Sequence, residues 1–349
     1  MAPVPPSVAA ALARAEHLPC PLCGSQEARA LWFRPLDAEQ AVDAHLAPVD
    51  VPGWWIVRCV PCGLGRVDPL PREADLAAIY DENYHAPGAF AGIAHQGGIS
   101  GQLHLYDRPG GRQRSLRWHG RRLARLEQVG FDGLARPAGR RLLDVGCGAG
   151  YFLDAARAAG WQVAGVELSA AAAAAARGEL GLDVFTGALA EAAFPSNHFD
   201  LITLFEVLEH MRDPGATLAE AHRLLRPGGL LAVETPNDMD AYRAGLARAD
   251  RRWWVIPPVH LYYFNASSLS RWLLMNGFEP IHLSTEGSVG GDLLSQLHGR
   301  HGWPTGRWFV GGVRRLLAPL DWILERTGRH SELIILAQKR ASALPPPTP

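Results

Sequence analysis

The stretch Leu142-Leu143-Asp144-Val145-Gly146-Cys147-Gly148-Ala149-Gly150 is an apolar strand that closes on an acid and runs into three alternate glycines. Glycines at this spacing let the backbone turn sharply and approach a ligand with no Cβ in the way. A helix beginning at about Tyr151 then aims its first N–H groups, and the positive end of its dipole, at an anionic group. Glu167 ends the next expected strand, where a carboxylate can accept both hydroxyls of an adenosine ribose. Loop and acid together describe a nucleoside-like ligand at a helix N-terminus. They fit a dinucleotide as well as any other adenosine-bearing cofactor.

From Arg140 to about Arg340 apolar runs alternate with helical segments, the signature of βαβ units and a mostly parallel sheet. Strands are expected at 141–146, 162–167, 182–186, 200–205 and 229–235, and later at 279–285 and 332–338. Seven alanines, Ala170 to Ala176, follow Ser169 as an N-cap and read as a thin helix able to lie close to the sheet. The fold class is therefore α/β and Rossmann-like. The expected layout is a mobile N-terminus (1–17), a small cysteine-bearing module (18–75), a helical linker with a basic helix (76–135), the α/β domain (136–340) with a lid insertion at 286–330, and a mobile tail (341–349).

The chain has 349 residues, 48% hydrophobic and 20% charged, enough for one large core with a smaller module beside it. With 34 basic and 35 acidic side chains the net charge is -1, so no overall field draws in nucleic acid or anionic membrane. Any electrostatic partner is met locally. The N-terminus lacks a basic n-region, and its apolar stretch from Val8 is cut by Arg14 and Glu16, against a signal peptide. No run of about 18 apolar residues occurs, so no transmembrane segment and a cytoplasmic location are expected. Oligomeric state is not legible.

Cys20-Pro21-Leu22-Cys23-Gly24 and Cys59-Val60-Pro61-Cys62-Gly63 are two Cys-x-x-Cys-Gly turns. Each presents two thiolates, and the four suit tetrahedral zinc of the closed, structural kind. A redox dithiol is the alternative. Zinc ligation supplies folding free energy to a module too small to be stable through its core. Cys147 is left over.

Over most of residues 140–285 the chain resembles class I S-adenosylmethionine (SAM) dependent methyltransferases. The matching pieces are Leu143 to Gly150, Gly165-Val166-Glu167-Leu168-Ser169, Phe199-Asp200-Leu201-Ile202 leading to Val207-Leu208-Glu209-His210, and Leu225-Arg226-Pro227-Gly228-Gly229. The resemblance implies that 136–340 is a SAM-dependent methyltransferase domain. In it Asp144 and the loop Gly146, Cys147, Gly148 and Gly150 hold the methionine end of SAM. It implies that Glu167, beside Leu168, takes the ribose diol, and that Phe205 and Glu206 lie under the donor methyl. Many relatives carry an acid near position 188 for the adenine amino group, whereas Ala188 and Leu189 offer backbone and an apolar side chain. The two-part layout, with a four-cysteine module before the catalytic domain, is similar to bacterial sugar and natural-product methyltransferases.

Methyl transfer to a hydroxyl or carbon nucleophile needs a base. His260 with Tyr262 is the favoured pair, in the segment Pro257-Pro258-Val259-His260-Leu261-Tyr262-Tyr263-Phe264 after Trp253-Trp254. Glu209 and His210 are the second choice. In the basic helix Arg114, Arg117, Arg121 and Arg125 share one face, suited to solvent or to a diphosphate. Residues 308–324 form an amphipathic helix with Arg314 and Arg315, read as a lid and also compatible with a membrane surface. The leading expectation is methylation of a small polar molecule: a sugar, nucleotide-linked sugar or natural-product intermediate. A quinone-type or lipid-type acceptor is the enzymatic alternative. A SAM-sensing zinc-ribbon binding protein without catalysis and an NAD dehydrogenase are the readings from other classes. Without a basic cluster between the cysteine pairs, nucleic acid is not expected as a partner.

Overall fold

The apolar runs of the α/β region become strands because both faces of their sheet are covered. Leu142, Leu143, Leu201, Ile202, Leu204 and Leu230 to Val233 are all buried, the pattern of a parallel sheet with helices on each side. The structure, a computed structural model, describes residues 14–31, 55–76, 110–131, 139–237, 260–287, 289 and 307–340. In chain order the elements are β1 (Ala28–Leu31), β2 (Trp55–Cys59), β3 (Gly65–Asp68), α1 (Gly111–Gly130), β4 (Arg141–Val145), α2 (Tyr151–Ala158), β5 (Gln162–Glu167), α3 (Ala170–Leu180), β6 (Val184–Thr186), β7 (Phe199–Phe205), α4 (Pro214–Leu224), β8 (Leu225–Pro236), β9 (Tyr262–Tyr263), α5 (Ala266–Met275), β10 (Phe278–Glu286), α6 (Arg307–Arg326) and β11 (Glu332–Lys339). Short 3-10 turns lie at Leu189–Ala192 and Leu208–His210. The chain divides into two units: Met1–Gly98, Pro236–Ser268 and Ser284–Ile334 form the first, and Ile99–Thr235, Leu269–Leu283 and Ile335–Pro349 the second.

The second unit is built on a seven-stranded sheet of order β10-β11-β8-β7-β4-β5-β6. β4 pairs in parallel with β5 and β7, β5 with β6, and β7 with β8. All seven strands expected from the sequence are present. β6 is shorter than the expected 182–186, and β8 starts at Leu225 rather than 229. The alanine helix is α3: the Ser169 hydroxyl accepts from Ala172 N–H, and Ala172, Ala173 and Ala176 are buried. Asp213 caps α4 in the same way, with Pro214 as its first residue.

Helix α1 is integral to this unit. Leu123 and Leu126 join the core of Leu142, Phe152, Leu201, Leu230 and Leu336. The buried Asp154 carboxylate accepts from Arg112 (3.1 Å) and Arg157 (2.8 Å), tying α1 to α2. Trp161 donates its indole N–H to buried Glu127 at 3.0 Å.

The first unit contains an antiparallel sheet of order β1-β2-β3-β9. Its fourth strand comes from far along the chain: Gly65 pairs with Tyr263 and Arg66 with Tyr262, and Val67 N–H donates to Leu261 O at 2.9 Å. The N-terminal segment is ordered earlier than residue 18. Glu16 exchanges backbone hydrogen bonds with Leu70 (2.8 and 2.7 Å), and Arg14 forms an ion pair with Asp75. The helix expected at 308–324 is α6. Trp253, Trp254 and Pro257 to Val259 lie outside the described residues, as do 290–306 of the insertion, 77–109 of the linker, most of the N-terminal segment and the tail. No helix among the described residues is long and apolar enough to cross a membrane.

The seat of α1 on the sheet is set by its last residue. A Cβ at Gly130 meets Leu230 Cδ1 at 2.3 Å and Leu336 Cδ2 at 3.0 Å, and both leucines are fully buried. Gly130→Ala is therefore expected to cost about 1–3 kcal/mol through overpacking, read as a lower urea midpoint at unchanged slope.

Candidate active site

In the second unit β4 is flanked by β5 on one side and β7 on the other, so its carboxyl end is a topological switch point, where open α/β sheets bind ligands. The glycine loop begins there. Gly146 and Gly150 hold φ of 73° and 83°, and a Cβ would meet Val207 Cγ2 at 2.5 Å or Leu182 Cδ1 at 2.4 Å. Neither position admits a side chain. Gly148 differs: nothing lies within 4 Å of its Cβ position, so the loop shows bare backbone to open space. Helix α2 follows without a side-chain cap at Gly150, and its N-terminus is the end of a helix that favours an anionic group. Cys147 turns the other way. Its Sγ packs where a Cβ on Gly165 would sit, and burial pushes its thiol well above the ordinary range, so Cys147 offers only backbone.

Glu167, at the end of β5, accepts from Gly148 N–H through Oε2 and from Ser169 N–H through Oε1, both at 2.8 Å. Each oxygen retains acceptor capacity, as a ribose diol requires. Beside it Leu168 is 74% exposed, an apolar side chain at the sheet's ligand-binding edge. After β6, Ala188 is exposed and Leu189 buried, and Ala188 N–H donates to Glu191 Oε2 at 2.8 Å. An acid thus does reach this turn, from three residues further on. No local motif marks it, because Ala188 has no side-chain oxygen to complete a capping box, and only the fold brings Glu191 to the turn.

Asp144 is buried and accepts the Thr203 hydroxyl at 2.6 Å. Burial pushes its carboxyl up to about 7, against the opposing pull of that hydrogen bond and of Arg122. Phe205 ends β7, with the Arg122 guanidinium 3.5 Å above its ring centroid. Arg122 also pairs with Glu234 of β8. The arginines singled out in the sequence, Arg114, Arg117, Arg121 and Arg125, are all exposed, while Arg122 lies on the packed side with Leu123 and Leu126. Next to it His119 is driven down to about 4 by burial and by Arg122, and is neutral near pH 7. Glu206 has φ 57°, a left-handed conformation that a non-glycine residue adopts at a cost. Its N–H donates to Glu234 O at 2.9 Å. In the turn beyond, Glu209 is fully buried and His210 is half-buried, with Nε2 3.8 Å from Glu209 Oε1.

His260 and Tyr262 belong to the first unit. His260 is buried at the head of β9 with its ring tilted against Tyr263 (centroids 6.3 Å apart), while Tyr262 is buried on the strand opposite Arg66 and tilts towards Phe264 at 6.2 Å. The four cysteines come together in the same unit. Cys20 Sγ lies 3.5 Å from Cys62 Sγ and Cys23 Sγ 3.4 Å from Cys59 Sγ, all four within 4.8 Å of one another and none in a disulfide. Each turn closes on itself: Gly24 N–H donates to Cys20 O at 2.7 Å and Gly63 N–H to Cys59 O at 3.0 Å.

A family described as "Methyltransferase domain" matches residues 112–283. A probable S-adenosylmethionine-dependent methyltransferase of Mycolicibacterium smegmatis is 34% identical over 57% of this chain and 73% of its own length. The chain belongs to the SAM-dependent methyltransferases. A ubiquinone biosynthesis O-methyltransferase of Aromatoleum aromaticum is 36% identical over 44% of this chain and 70% of its own. Among solved structures, a SAM-dependent methyltransferase from Archaeoglobus fulgidus is similar at 19% identity over 64% of this chain and 94% of that one, with TM-score 0.45.

The methyltransferase is thus a class I enzyme that binds SAM, which removes the nicotinamide reading the loop alone left open, and with it the non-catalytic one. The donor loop fits that cofactor: Gly148 gives backbone access, and Glu167 is already aligned by two N–H donors.

Asp144 gives the ligand-free enzyme a distinctive pH response. Its folded-state pKa of about 7 lies above the unfolded carboxylate value of about 3.9, so the fold retains a proton that the unfolded chain has lost. Stability therefore falls as pH rises from about 4 to 7. Asp144→Asn, which cannot ionise, should match the parent near pH 4 and exceed it by a few kcal/mol, as an order of magnitude, at pH 8. Urea unfolding of both proteins without SAM checks this; an equal difference at both pH values would mean that Asp144 ionises normally.

Proposed function

We propose that the enzyme transfers the SAM methyl group to a hydroxyl of a small polar acceptor, a sugar, nucleotide-linked sugar or natural-product intermediate, with His260 as general base. The observation that carries this is His260 itself, an imidazole held in a buried setting by the strand that follows it. Bound SAM supplies a methyl group activated on a sulfonium. A hydroxyl nucleophile must then lose its proton, and an imidazole is a side chain able to take it. On the donor side Asp144 and the glycine loop hold the methionine end, Glu167 the ribose diol, and Phe205 and Glu206 line the methyl position. Glu191 serves the adenine end in place of an acid at 188. Glu209 and His210 support the cofactor side. The relative named for ubiquinone biosynthesis favours a second reading, in which the acceptor hydroxyl sits on an aromatic ring.

We further propose that Cys20, Cys23, Cys59 and Cys62 hold a structural zinc ion. Tetrahedral zinc at about 2.3 Å from each sulfur separates the sulfurs by roughly 3.8 Å, within the range observed. Four thiolates leave no open position for chemistry. Burial raises the Cys20 and Cys62 thiols above their ordinary range, so ligation releases protons and tightens with pH. Cys59 ends β2, Cys62 lies three residues before the start of β3, and β3 pairs with β9. Zinc accordingly orders the segment that bears His260.

The decisive assay is methyl transfer from labelled SAM to panels of sugars, nucleotide sugars and phenols. His260→Ala should lower turnover about 10²–10⁴-fold with SAM affinity unchanged, and Glu167→Ala should weaken SAM binding in calorimetry. Labelling of phenols alone would select the second reading, and full activity of His260→Ala would remove the base assignment.

The purified enzyme should carry one zinc per chain by elemental analysis. Cys59→Ser or chelation should speed amide exchange across Leu261 to Tyr263; a folded, metal-free protein with unchanged exchange would overturn the zinc assignment.

A further inference from the structure

Helix α6 is held in one rotational setting about its axis. Leu324 is buried, and Asp321 Oδ1 accepts from Val289 N–H at 2.7 Å. His330 is buried beneath it; since Nδ1 accepts from Ser331 N–H at 2.8 Å, Nε2 is the protonated nitrogen and donates to Asp321 at 3.2 Å. Thr285 Oγ1 donates to the Glu325 carbonyl at 3.5 Å. With these residues turned inward, Phe309, Leu316, Leu320 and Ile323 fall on one outward stripe at intervals of 7, 4 and 3. They are 37, 79, 40 and 49% exposed. Four large apolar side chains along one face of one helix, three of them on the successive turns Leu316, Leu320 and Ile323, are more than the scattered single exposures of an ordinary surface.

The charges beside the stripe have one dominant sign. Arg314, Arg315, Arg326 and Arg329 are exposed, while of the two acids on the helix Asp321 is committed to Val289 and His330, and only Glu325 faces water. Trp322, 56% exposed, carries the Arg326 guanidinium 4.6 Å over its ring. Tryptophan with arginine along the flank of an apolar stripe is the composition of a helix lying in a lipid headgroup layer, apolar side down and cations at the phosphates. A second copy of the chain would bring the same arginines and supply no counter-charge.

We propose that α6 docks the enzyme on an anionic bilayer surface through Phe309, Leu316, Leu320 and Ile323, with Arg315 and Arg326 at the lipid phosphates. This goes beyond the acceptor reading and stands without it.

Co-sedimentation of the full chain with phosphatidylcholine vesicles, with and without phosphatidylglycerol, tests the proposal. The protein should partition onto the anionic vesicles, and salt should weaken that binding. The double variant L316E/L320E, altered only at exposed positions, should lose partitioning at least about tenfold while keeping its thermal melt and SAM affinity. R315E/R326E should lose the preference for phosphatidylglycerol. The proposal is overturned if the parent protein binds neither vesicle or if L316E/L320E binds as well as the parent. It is also overturned if light scattering shows a dimer that L316E/L320E converts to monomer, which would assign the stripe to a second copy.

Discussion

Glu167 accepts one hydrogen bond from Gly148 N–H and one from Ser169 N–H, each 2.8 Å long, and so fastens the loop after β4 to the head of α3. Bonds from N–H donors to a carboxylate are worth about 1.5–3 kcal/mol each, more than a neutral pair. The loop has need of them. Its backbone turns through left-handed conformations at Gly146, Gly148 and Gly150, with Val207 and Leu182 packed against two of those glycines. One side chain thus fixes the loop, and each of its oxygens retains acceptor capacity for the ribose proposed to bind there. On the proposed role, structure and recognition share the same group, and a change at Glu167 is felt in the loop and in the ligand alike.

The sequence discloses the sheet well because its strands are buried on both faces and read as unbroken apolar runs, as at Leu142-Leu143 and Leu201-Ile202. It discloses the first unit poorly. β1 to β3 are four or five residues long and β9 only two, too short for any period to show. What orders them is long-range: Tyr262 and Tyr263 become a strand only because Arg66 and Gly65 lie beside them. The site divides in the same way. Asp144, the glycines and Glu167 stand in local motifs, whereas Arg122 is one arginine among many in α1, and only burial against Phe205 distinguishes it from Arg121 or Arg125. Glu191 stands in no local motif either, since Ala188 cannot complete a capping box, and its value lies in where the turn after β6 places it.

The four-cysteine module shows how a small sheet is made to hold something exact in place. Its buried set is modest, with Leu22, Ile56, Val57, Leu64 and Val67 prominent, and a core of that size alone contributes little net stability. Two self-closed turns bring four thiols within 4.8 Å of one another, and the zinc proposed there would replace the missing core with coordination free energy. β3 runs out of the second turn through Leu64, whose carbonyl accepts from Cys59 N–H at 2.9 Å. Order in the cysteine cluster is therefore order in β3, and through the backbone pairing it reaches the residues just after His260. A two-residue strand has little cohesion of its own, so its position reports the state of the sheet to which it is added.

Three costly features coincide at the carboxyl ends of β4, β7 and β8. Asp144 is buried deeply enough to hold its proton to about pH 7, Glu206 takes a left-handed backbone, and Arg122 and Glu234 form a largely buried ion pair. None is a good investment in stability. A buried pair is commonly matched by apolar residues of the same volume, while losing one partner costs about 3–5 kcal/mol, and a strained non-glycine residue costs on the order of 1–3 kcal/mol. Scattered, such features would be unexplained. Gathered where Phe205 lies under the Arg122 guanidinium and the Glu206 N–H is taken by the Glu234 carbonyl, they fix the floor beside the donor loop in one geometry. That concentration of cost falls at the same sheet edge to which the glycine loop points, the pattern expected of a functional site.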